Sequence, residues 1–151
     1  MRVLRVLVVM LSLSAALLAA DNPFSGTWNF NPSKSHQISP DMKSSTAHVE
    51  ADQQSFKLTQ EFVDDKGQSM TVSFEAKSDG KQYPVKGDPD NESVSMQRVN
   101  QRDVVFTYRK ADKVVSKVKV VVSADGKTTT LHVTDYSEAK PKTGTYVYDK
   151  Q

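Results

Sequence analysis

An alternation of period two runs through most of the chain, and it restricts the fold more than any other feature. Ser55 to Phe62 reads SFKLTQEF, so Phe56, Leu58 and Phe62 share one face while Lys57, Thr59 and Glu61 share the other. Met70, Val72, Phe74 and Ala76 repeat the pattern, as do Val104, Phe106 and Tyr108, and then Val114, Val118, Val120 and Val122. Successive side chains of an extended strand point to opposite faces, so these runs predict half-buried antiparallel strands. No segment has convincing helical periodicity.

The segments between these runs carry turn chemistry. Asp64-Asp65-Lys66-Gly67, Ser78-Asp79-Gly80, Asn100 to Asp103, Ala111-Asp112 and Ala124-Asp125-Gly126 each separate two runs. Glycine supplies the positive φ that tight hairpin turns need. Nine or ten strands are expected, over 24–30, 45–51, 55–62, 69–76, 81–85, 92–99, 103–110, 113–122, 128–136 and 143–149. Asn31 to Lys43 is polar, holds two prolines and reads as a loop or short helical turn.

Strands joined one after another by tight turns form an antiparallel up-and-down meander. A long meander that stays open leaves edges that invite aggregation, and closure into a barrel removes them. A sandwich with Greek-key crossovers would need longer connections than most seen here. The fold class expected is therefore all-β, a barrel of about eight to ten strands.

Residues 1–20 do not fit this pattern. Arg2 and Arg5 precede an apolar run from Val6 to Leu18, and Ala19-Ala20 suits a cleavage site. This reads as a secretory signal peptide, leaving 21–151 as a single domain in the periplasm or outside the cell. The run is shorter than the roughly 20 apolar residues of a membrane span, and no cysteine follows to carry a lipid, so no stable membrane anchor is expected. The chain has 20 Lys and Arg against 18 Asp and Glu; without Arg2 and Arg5 the mature part is formally neutral. A neutral chain gives no warrant for nucleic-acid binding. The absence of cysteine rules out thiol catalysis, thiolate metal sites and disulfides.

The single tryptophan, Trp28, stands in Gly26-Thr27-Trp28 on the first expected strand. A ring of that size buries ~150–250 Å² and can plug a barrel end. Gly26 would let a neighbouring backbone or ring come close. The stretch FSGTWNFNPSKS, followed by DGKQYPVKGDP from Asp79 to Pro89, VSADGKTTTL from Val122 to Leu131 and a final YVYDKQ, resembles bacterial exported lipocalin-like (calycin-type) proteins. That resemblance spans most of the mature chain and rests on the order and spacing of the motifs. It implies a barrel with the tryptophan at its closed end. In lipocalins a late arginine covers that ring; here it has no clear match, and only Lys142 and Lys150 lie near the last strand. Thr134-Asp135-Tyr136 copies another lipocalin motif but stands too close to the end of the chain for the usual strand order.

Little in the sequence points to chemistry. His36, His48 and His132 are scattered without metal-ligand spacing, so no metal site and no cofactor is expected. GDPDNES groups Asp88, Asp90 and Glu92 without the order of a calcium loop and reads as a solvated turn. No nucleophile motif or phosphate loop occurs, so no enzyme is expected. Arg98 shares parity with Val94 and Met96, which points it inward, toward either a ligand carboxylate or a structural partner. The expected activity is non-covalent binding of a small apolar or amphipathic molecule. The residues expected to touch it are Phe56, Leu58, Phe62, Met70, Phe74, Arg98, Phe106 and Tyr108, with Gly26 and Trp28 structural. The alternative is a solidly packed barrel acting through its surface, as a periplasmic inhibitor or envelope interaction module. Barrels of about eight strands occur both filled and hollow, and the sequence does not choose between them.

Overall fold

The computed structural model describes residues 21–151; the leader expected over 1–20 lies outside the described residues. Ten antiparallel strands form one sheet: β1 Gly26–Phe30, β2 Met42–Ala51, β3 Ser55–Asp64, β4 Ser69–Lys77, β5 Tyr83–Pro84, β6 Ser93–Arg98, β7 Asp103–Lys110, β8 Lys113–Val122, β9 Thr128–Asp135 and β10 Lys142–Lys150. Their spatial order is β4-β3-β2-β1-β10-β9-β8-β7-β6-β5. Every neighbouring pair except β1–β10 is a hairpin between consecutive strands, so the all-β meander expected from the alternation is what forms. A 3-10 turn, Pro32–Lys34, capped by the Asn31 side chain, lies in the long β1–β2 connection.

The sheet curls until its two edges meet, and the meeting is narrow. Ser73 of β4 and Lys86 exchange both backbone hydrogen bonds, at 3.0 and 2.9 Å. Gly87 follows, with φ +81°, and a Cβ there would overlap the carbonyl oxygen of Thr71. Only a residue without a side chain lets the two backbones come this close. At one end of the seam the Arg98 amide donates to Ser78 Oγ at 2.9 Å. The barrel is thus nearly closed. β5 is only two residues long because the chain leaves β6 after Pro84 and crosses to β4 at Lys86.

One end of the barrel is solid. Trp28 is 2% exposed and its indole Nε1 donates to the Phe24 carbonyl at 2.9 Å. Phe56 sits against Phe24, Phe74 and Phe106, with ring centroids 5.8, 6.3 and 5.0 Å away. Each such aromatic pair adds about 0.5–1.5 kcal/mol beyond the area it buries. Val94, Met96, Val104 and Ala76 fill the space between them, each essentially without exposure.

Gly26 and Trp28 lie two apart on β1 and so share a face. Trp28 pairs with Lys150 in register, and the Lys150 ammonium lies 5.2 Å from the indole centroid. A Cβ on Gly26 would stand 2.7 Å from Lys150 Cε, and Gly26 has φ +134°. The glycine makes the room in which the lysine lies over the tryptophan.

One expectation about a strand face and one about a strand boundary need correction. Val114 is on the outside, because a bulge between Tyr108 and Arg109 sets Arg109 opposite Val114 and Tyr108 opposite Ser116. A bulge adds one residue to one strand and breaks its alternation. β2 also starts earlier than expected, at Met42, across another register shift between Met42 and Ser44.

Candidate functional site

Away from the plug the barrel is hollow. A cavity of about 790 Å³ runs from the aromatic cluster to the opposite end and opens there. Its walls follow from strand parity. Phe56, Leu58 and Phe62 of β3, Phe74 of β4, and Phe106 and Tyr108 of β7 all line it. Val118 and Val120 of β8 and Leu131 and Val133 of β9 complete the apolar wall.

Two residues expected to touch a ligand do not line the cavity. Met70 has the inward parity of Val72 and Phe74 but lies at the rim opposite Phe62, 39% exposed. Arg98 also has the inward parity expected of it, yet it sits at the plugged end. Its Nη2 donates to the Asp52 carbonyl at 2.7 Å, and its guanidinium carbon lies 5.3 Å from the Phe24 centroid. The Arg98 Nε is buried without a partner, and burial holds the guanidinium below its usual value while the Asp52 charge works against this. Arg98 therefore ties the β2–β3 turn to the plug, on the side away from the open mouth. In both cases parity gave the face correctly and left the height along the barrel undetermined.

The polar group inside the barrel was not anticipated. Gln60 lines the cavity on β3 and is 8% exposed. Its Nε2 donates to Ser45 Oγ at 3.0 Å and to the Tyr148 hydroxyl at 2.9 Å, and that hydroxyl donates to Ser45 at 3.3 Å. The signal was present in the sequence: Gln60 shares its parity with Phe56, Leu58 and Phe62, a polar residue on an apolar face. Burial pushes the Tyr148 phenol up to about 12, with the Ser45 and Gln60 hydrogen bonds pulling part of the way back. The Tyr108 phenol is also pushed up, first by burial and then by the charge of Asp88.

The mouth is built by the β1–β2 connection and by the loop before β6. His36 and Thr145 exchange backbone hydrogen bonds at 2.7 and 2.8 Å, and the Ile38 amide donates to the Tyr146 hydroxyl at 3.1 Å. This strap lies close on β10 because Gly144 has no side chain; a Cβ there would be 2.7 Å from Ile38 Cγ1. Opposite it, Asp88 accepts from the Asp90 amide at 2.9 Å and from Asn91 Nδ2 at 2.6 Å. The GDPDNES turn is therefore folded on itself, and Asp88, Asp90 and Asn91 form part of the cavity rim. Lys110 Nζ donates to the Pro89 carbonyl at 2.8 Å and lies 3.7 Å from Asp90.

The histidines stay apart. His48 Nδ1 lies 3.0 Å from Thr27 Oγ1 on the outer face, His36 belongs to the strap, and His132 is exposed on β9. Among the described residues no group of three or more potential ligands could hold a metal ion.

No protein-family profile and no curated protein matches the chain. Two solved structures are similar to it. One is the siderocalin Ex-FABP, described as functioning through dual ligand specificities, at 11% identity and a TM-score of 0.46, with 85% of this chain and 74% of that one covered. The other is EF1p2_mFAP2b bound to DFHBI, at 12% identity and a TM-score of 0.43, with 85% and 94% covered.

Proposed function

We propose that this chain is an exported carrier that binds one small, largely apolar molecule in its barrel, without catalysis. The observation that carries the reading is the 790 Å³ cavity, open at one end and walled by aliphatic and aromatic side chains. Sites of this kind bury most of a small ligand's surface against apolar walls, and a few polar groups set its orientation. The plug of Trp28, Phe24 and the Phe56 cluster gives the barrel a rigid base, so the hollow half is preformed. Export rests on the leader-like residues 1–20 and on the resemblance of the motif order to exported lipocalin-like proteins. The alternative of a barrel acting through its surface finds less support, because among the described residues the large exposed apolar ones, Met70, Val99, Val114 and Tyr136, are few.

Native mass spectrometry of the protein taken from the exported fraction of its own host tests this reading. A non-protein adduct is expected on a chain that starts near Asp21. Val118→Trp, which projects an indole into the cavity from β8, should reduce the adduct while the far-ultraviolet circular dichroism stays that of a β-barrel. An adduct undiminished in that variant, or a co-purifying polypeptide in its place, would overturn the proposal.

A further inference from the structure

Gln60 carries more information about the ligand than the apolar walls do. Both of its amide hydrogens are used, one by Ser45 and one by Tyr148. Its Oε1 accepts no hydrogen bond from any described residue, although the side chain is more than nine-tenths buried and lines the cavity. It is not one of the fully enclosed, unpartnered side-chain atoms among the described residues, which are Gln37 Oε1 and Arg98 Nε, so it keeps surface toward the cavity and can accept a donor there. A ligand hydroxyl or amide N–H would supply the missing donor.

The charges around the cavity point the same way. Asp41, Asp88, Asp90 and Asp135 lie on its lining, and among the described residues Lys110 is the one cation that lines it. Lys110 is already engaged by the Pro89 carbonyl and by Asp90. Arg98, which could have held an acid, is at the opposite, plugged end. A carboxylate entering here would pass an aspartate rim and lose its hydration with no cation to replace it.

We infer that the ligand is an uncharged amphiphile whose hydroxyl or N–H group donates to Gln60 Oε1, and that the cavity discriminates against the carboxylate of the same chain length. This rests on the cavity being the binding site, and the two claims fail differently.

The test uses the mature chain and three probes of ten carbons each, decan-1-ol, nonyl methyl ether and decanoate at neutral pH, each displacing the neutral dye Nile red. The ether keeps the oxygen and lacks the donor. Decanol is expected to bind about 3- to 10-fold more tightly than the ether, the value of one neutral hydrogen bond, and decanoate is expected to bind more weakly than both. Gln60→Leu should bring decanol down to the ether's affinity and leave the ether unchanged. In wild type alone, decanoate binding as tightly as decanol, or decanol no tighter than the ether, would overturn the inference while leaving the cavity as the binding site. Equal weakening of decanol and ether by Gln60→Leu would overturn it too, since Gln60 would then be acting on the barrel and not on the donor. Failure of the dye and of all three probes to bind would overturn the carrier reading itself.

Discussion

At the scale of single residues, the lone tryptophan is best understood through its neighbours. Trp28 is held by a hydrogen bond to Phe24 and covered by Lys150, the position for which no covering arginine could be found in the sequence. A lysine reaches the ring because Gly26 leaves space beside it. Trp28→Ala should destabilise the barrel by ~3–5 kcal/mol, the range for deleting a large buried aromatic, as measured by denaturant unfolding. Lys150→Ala should cost far less, roughly 0.5–1 kcal/mol, because its ammonium is an exposed cation on an aromatic face. Tyr148 makes a prediction about pH. Its phenol ionises at the ordinary 10.0 when unfolded and at about 12 in the barrel. Below the first value both states keep the proton and stability is indifferent to it. Between the two, only the folded state keeps it, so stability falls as pH rises, by ~1.4 kcal/mol per pH unit from this group. Urea unfolding across that alkaline window should show a shallower decline in Tyr148→Phe than in wild type; parallel declines would mean that the hydroxyl is not buried as described.

At the scale of elements, the alternation located the strands and the turn residues located the hairpins, because both signals are local. What alternation cannot carry is height along the barrel. Met70 and Arg98 have the parity of Phe74 and Met96, yet one reaches the rim and the other the plug, and only the register between strands decides this. The bulge that turns Val114 outward is similarly invisible, since its cause is a pairing of Tyr108 with Ser116 across the sheet. Gln60 was legible as a polar residue on an apolar face, but its partners are set by pairing across the sheet: Ser45 by the β2–β3 register and Tyr148 by β10, 88 residues away in sequence. The seam is the element most exposed to a single change. Gly87→Ala puts a side chain at a positive φ and into the Thr71 carbonyl, so it should cost at least ~1–3 kcal/mol. Amide exchange at Ser73 and Lys86 should accelerate in this variant before that of β7 or β8; unchanged protection there would show that the seam closes without the glycine.

At the scale of the whole molecule, the barrel divides into a packed half and a hollow half, and the seam lies in the middle of the chain. β1 and β10 are the one pair of strands that are neighbours in space and distant in sequence: Lys150 sits opposite Trp28, and the Gln151 amide donates to the Thr27 carbonyl at 2.9 Å. The edges of the sheet, β4 and β5, are by contrast adjacent in sequence and joined through an exposed turn at Asp79-Gly80. The order in which the polypeptide is connected is therefore a rotation of the order in which the strands lie. Linking residue 151 to residue 22 by a short Gly-Ser segment and opening the chain between Gly80 and Lys81 would turn every strand pair in the sheet into a hairpin. The costliest loop closure of the folding reaction disappears, and the new ends fall where the barrel is held most weakly. Such a circular permutant should refold faster than the parent in stopped-flow fluorescence from Trp28, while its native state opens more readily along β4.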